Sequence, residues 1–225
     1  MIVERRFNGP LESGQGGYSA GLLAGRTDGP VEVSLRAPVP LETPLTVAPG
    51  DGGALRLLDG EALVADAAPV EPFAGDVPDP VGPGAAHDAT HRYRGDTDGP
   101  FSRCFVCGLA RTDGFHVHPG AVAGRELVAS PWTPPAWAAD DDGAVRPEFV
   151  WAALDCPATF AAAQLGVLAR FSVCIHAPVE AGRQHVVVGW PLGDDGRKQH
   201  AGSALFGAGG ELLAAARALL VVPRT

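Results

Sequence analysis

From position 31 to 39 the chain reads Val-Glu-Val-Ser-Leu-Arg-Ala-Pro-Val, with apolar and polar residues taking turns. A period of two predicts a strand with one buried face. Short apolar runs follow at 45–47 and 54–58, and Asp59-Gly60 then leads into another at 61–65. Asp-Gly between two such runs predicts a hairpin. Upstream, positions 16–24 are small or apolar with no alternation, which predicts a helix. The same order returns later in the chain. A helix is predicted over 147–164, apolar most of the way round as a helix covered by a sheet must be. Strands follow over 171–179, 184–190 and 203–206, then a Gly209-Gly210 turn and a strand over 211–215.

Two details support an internal repeat. Ala-Pro-Val stands at 37–39 and again at 177–179, and Asp59-Gly60-Glu61 corresponds to Gly209-Gly210-Glu211. Each copy is a helix followed by a strand meander. One further strand ahead of each helix completes the unit, over 1–7 in the first copy and over 114–119 with 126–131 in the second. Between the copies, 71–102 is rich in Pro, Gly and Asp; its core, 77–84, cannot continue a helix or a central strand. The expected organisation is an N-terminal unit (1–70), a surface linker (71–102) and a C-terminal unit (103–225), of class α+β.

Composition narrows the function. The formal charge is -9 and Lys198 is the single lysine, which argues against nucleic acid, whose phosphates call for clustered cations. No apolar run approaches the roughly 20 residues that span a bilayer, and positions 1–7 lack a signal-peptide core. Cys104, Cys107, Cys156 and Cys174 are read as reduced thiols, and the expected location is cytoplasmic.

Several segments carry a resemblance. Gly16-Gly17-Tyr18 onward is similar to the paired-glycine opening of a hotdog helix. Trp151-Ala152-Ala153-Leu154-Asp155-Cys156-Pro157 resembles the acid-bearing segment of such a helix, and Cys104-Phe105-Val106-Cys107-Gly108 resembles a stretch that precedes the first strand in some hotdog proteins. In this order they resemble the acyl-CoA thioesterase-like superfamily in its double hotdog form: two fused hotdog units, each a central helix wrapped by a curved antiparallel sheet. The resemblance implies hydrolysis of an acyl-CoA or other acyl thioester without a metal or other cofactor. It places the site at the seam between the units, with a carboxylate from one helix and backbone N–H groups from the start of the other. A non-catalytic acyl-binding protein on the same fold is the second reading, and a zinc-stabilised interaction module the third. Membrane and nucleic-acid partners are not expected; free sheet edges leave room for a homodimer.

Thioester hydrolysis needs a base or nucleophile and donors for the developing oxyanion. Asp155, among apolar neighbours, is the expected general base or nucleophile; its alternative role is to hydrogen-bond a neighbouring helix end. Gly16 and Gly17, at a helix start with free N–H groups, are the expected oxyanion donors. The first helix keeps the glycines and has Ala24 where an acid would stand. The second keeps Asp155 and opens on Arg146-Pro147. One complete site per chain follows, with Gln15, Tyr18, Asn8 and Trp151 as further substrate-binding candidates. Gln15 replaces the His that family sites often carry, and Ala218 stands where the resemblance would place a Gln. Cys104 and Cys107 with His116 and His118 raise the zinc reading, but one Cys-x-x-Cys pair falls short of four ligands.

Overall fold

The computed structural model describes residues 1–27, 29–73 and 76–224. Among these residues three α-helices form: α1 (Gly16–Ala24), α2 (Pro83–Thr90) and α3 (Pro147–Ala161). The strands are β1 (Val31–Leu35), β2 (Thr46–Pro49), β3 (Leu55–Asp59), β4 (Ala62–Pro69), β5 (Gly120–Ala121), β6 (Val128–Trp132), β7 (Val167–Ile175), β8 (His185–Asp195), β9 (Lys198–Phe206) and β10 (Leu212–Val221). They form one ten-stranded sheet in the order β2-β3-β4-β1-β7-β10-β9-β8-β6-β5. Every pairing in it is antiparallel.

The first eight strands of that order read as a palindrome. β2, β3, β4 and β1 are matched outward from the centre by β8, β9, β10 and β7. The two halves meet where β1 pairs with β7, and the middle of the three registered pairs is Val33 opposite Phe171. Loop hydrogen bonds repeat as well. Gly14 N–H donates to Val39 C=O as Val145 N–H does to Val179 C=O, and Gln15 N–H to Phe7 C=O as Arg146 N–H does to Ala138 C=O. A short 3-10 turn precedes each helix, at Arg5–Phe7 and at Ala136–Ala138.

Both long helices lie against one face of the sheet, α1 over β1, β7 and β4, α3 over β6 to β10. They pack on each other antiparallel, because Gly17 faces Trp151 and Asp155 while Gly21 faces Glu148 and Trp151. The glycines set that distance: a Cβ on Gly21 would fall 2.7 Å from Glu148 Cα. Gly21→Ala therefore sets overpacking of about 1–3 kcal/mol against a helix-propensity gain of about 1 kcal/mol. A net fall in thermal midpoint is expected in a melting experiment.

The structure corrects three sequence expectations. Residues 1–7 form no strand: Met1 and Val3 carbonyls accept from Leu45 and Glu42, and the chain then turns at Arg5–Phe7. Residues 114–119 are likewise not a strand; Phe115 and Val117 N–H donate to Phe105 and Val106, and His116 takes a positive φ of 54° that breaks the extended run. The segment between the halves contains α2. Proline at a first helical position lacks only an N–H that would have no partner there, so Pro83 starts the helix after Gly82. Ala86 and Ala89 then pack with Val186, Val188 and Phe206 on the face opposite α3. No described helix is long and apolar enough to cross a membrane.

Candidate functional site

Gln15 is where an extended segment turns into α1. Its backbone is still extended, and its side-chain Oε1 caps the helix by accepting from Tyr18 N–H at 2.6 Å. The other end of that amide, Nε2, donates to Asp155 Oδ2 at 2.5 Å. Gly17 N–H donates to the same oxygen at 2.9 Å. Thr159, one turn further along α3, donates to Oδ1 at 3.3 Å. A Cβ on Gly17 would meet Trp151 C=O at 2.5 Å and Asp155 Cβ at 2.7 Å. Only glycine lets the start of α1 come this close to the middle of α3.

Asp155 is buried. Burial pushes its pKa up to about 7, against the pull of the Gly17 N–H and Thr159 in the other direction; a thiolate at Cys104 adds to the rise. A carboxyl group held near neutrality is suited to take a proton and return it. The same contacts also cap α1, so the helix-end role and the chemical one coincide in one side chain.

Asp155, Gln15 and Gly16 line a cavity of about 280 Å³ whose walls include Leu35, Val39, Phe101, Phe160 and Leu168. Gly16 N–H has no hydrogen-bond acceptor among the described residues, whereas Gly17 N–H is taken by Asp155. Of the two glycine N–H groups, the one left for a ligand carbonyl is that of Gly16. A second crevice lies at the matching place in the other half, lined by residues 175–179 as the first is by 35–39. Its helix start is Pro147, which has no N–H. The acid on its wall is the exposed Asp140 of the loop before α3, not a carboxylate from a helix.

Four of the expected site residues are off the cavity wall, and Gly17 acts on it only through its bond to Asp155. Trp151 is a core side chain, edge-on to Phe171 and wedged against Gly21. Tyr18 stacks between Phe7 and Phe149. Asn8 ties down a loop, donating to Gly9, Pro10 and Arg103 carbonyls and accepting from Arg111. Ala218 is buried in β10 opposite Phe171 and Ala201. Sequence reasoning missed Thr159; its signal was the spacing of four from Asp155, which puts both on one helix face. It also missed that Cys156 joins Cys104 and Cys107. These three buried thiols lie within 4.8 Å of one another and line the same cavity. His116 and His118 are not part of that group: His118 stacks on Tyr93, and burial lowers its pKa.

Gln15→Ala removes a helix cap and one donor to a buried acid. Together these are worth about 1–3 kcal/mol, and chemical denaturation should show a loss of that size.

No protein-family model matches the chain, and no curated protein matches it. Solved structures do. The tesB protein of Mycobacterium avium subs paratuberculosis is 16% identical, with 96% of this chain and 89% of that one covered at a TM-score of 0.57. A conserved protein of unknown function with a hot dog fold from Alicyclobacillus acidocaldarius is 13% identical, with 99% and 92% covered at a TM-score of 0.55. A thioesterase superfamily protein is 21% identical over 52% of this chain, which spans 58% of that protein, at a TM-score of 0.48. The chain has the hotdog fold.

Proposed function

We propose that the chain is a fused pair of hotdog units with one working crevice between them, and that it hydrolyses an acyl-CoA or another acyl thioester there. The observation that carries this reading is Asp155 of α3, bonded to Gly17 N–H at the start of α1 on the wall of an apolar cavity. In this reading the thioester carbonyl accepts from Gly16 N–H, the end of the helix dipole adding to the attraction. Asp155 takes a proton from water as the water oxygen bonds to the carbonyl carbon. The tetrahedral adduct collapses, the C–S bond breaks, and the proton passes to the departing thiolate. The apolar walls hold the acyl chain, and the Gly16 N–H, without an acceptor among the described residues, is free for the oxyanion.

A second reading is favoured by one observation: both oxygens of Asp155 are already hydrogen-bonded. A carboxylate so occupied suits a protein that holds an acyl group without cleaving it. A panel of acyl-CoAs of increasing chain length, followed by release of free thiol, separates the two. Turnover with at least one member supports hydrolysis. Saturable binding with no thiol release across the panel would move the assignment to acyl binding.

A further inference from the structure

The chemistry above leaves three cysteines unused. Cys104 and Cys107 stand on a tight turn of residues 101–108, and Cys156 follows Asp155 on α3. Their sulfurs lie within 4.8 Å of one another, all buried. A tetrahedral zinc with Zn–S bonds of about 2.3 Å has its sulfurs roughly 3.8 Å apart, so the three sit close to the corners of one coordination face. The turn is also shaped for it. Gly108 closes the turn where a Cβ would be 2.6 Å from both the Ser102 and the Cys104 carbonyls. Tyr93 fixes the far side by donating from its hydroxyl to Cys107 C=O at 2.9 Å. Asp155 is not a fourth member, since its oxygens are held by Gln15, Gly17 and Thr159.

We infer that Cys104, Cys107 and Cys156 form a binding site for one thiophilic divalent cation, zinc by chemistry, with its fourth coordination position open to the cavity. Three thiols give up three protons on binding, and the resulting complex carries a single net negative charge. Water, or a thiolate from a ligand, fills the open position. The ion ties the 101–108 turn to α3 and so fixes one wall of the cavity. Cys174, the fourth cysteine, lies on β7 outside this group and serves as the internal control.

This site does not depend on the hydrolytic reading, because its readout is metal content. Protein purified without chelator, then stripped and reloaded with zinc, is expected to hold one ion per chain by elemental analysis. Cobalt in its place should give a thiolate-to-cobalt charge-transfer band. Cys104→Ser, Cys107→Ser and Cys156→Ser should each weaken binding by at least about 100-fold, and Cys174→Ser should leave it intact. Should a serine variant fail to fold, thiol labelling of the native wild type gives the same information: zinc is expected to protect three of the four cysteines. Zinc content far below one ion per chain after reloading, a cobalt spectrum without the thiolate band, or protection independent of zinc would overturn the proposal.

Discussion

Asp155→Asn is expected to lower kcat/KM for thioester hydrolysis by about 100- to 10,000-fold, the range for a positioned general base. That corresponds to roughly 3–5 kcal/mol of transition-state stabilisation. Asparagine keeps the volume of the side chain, and its carbonyl oxygen still accepts from Gly17 N–H at the position Oδ2 holds now. The cap on α1 and the helix contact therefore survive, and the loss falls on proton transfer. Steady-state kinetics with matched circular dichroism and acyl-CoA binding measurements check it. A variant within about twofold of wild type, folded and binding, would mean that Asp155 is only a helix cap.

Gly189→Ala is expected to cost the most stability of any single methyl considered. Gly189 lies in β8, where Pro157 of α3 crosses the sheet; an added Cβ would be 2.1 Å from the Pro157 carbonyl oxygen. Backbone stands on both sides, so no side chain can rotate away. Overpacking of this kind costs about 3 kcal/mol or more, and for a chain of this length that lowers the thermal midpoint by roughly 10 °C. The contrast with Gly60, where a Cβ meets nothing within 4 Å, supplies a control in the same measurement, although its positive φ of 59° adds a modest strain of its own.

The sequence carried the order of elements because period-two alternation and turn dipeptides are local. β1, the β3–β4 hairpin at Asp59-Gly60, and the turn before β10 all follow from neighbours in the chain. α1 and α3 were legible for the same reason. What was not legible depends on contacts far along the chain. Residues 1–7 look like a strand in isolation, yet their partners at 42–45 leave them as a turn. Trp151 reads as a pocket wall from its place one turn before Asp155, but Gly21 of α1 opens a socket that takes it into the core. Cys156 reads as one more reduced thiol until the fold places it against Cys104 and Cys107. Asp155 was conspicuous as an acid in an apolar stretch. That Gly17, and not Gly16, would hold it could be seen only once the two helices were packed.

The palindromic sheet has a consequence for how such a crevice can change over time. Where two identical subunits build a pair of clefts, every substitution is imposed on both, and dilution separates the partners. Here the two sides of the β1–β7 junction belong to one polypeptide, so their meeting is intramolecular and insensitive to concentration. Each cleft is then free to drift independently. Pro147 lines one while Gly16 and Asp155 line the other, which is the divergence that a covalent link permits and a symmetric dimer forbids.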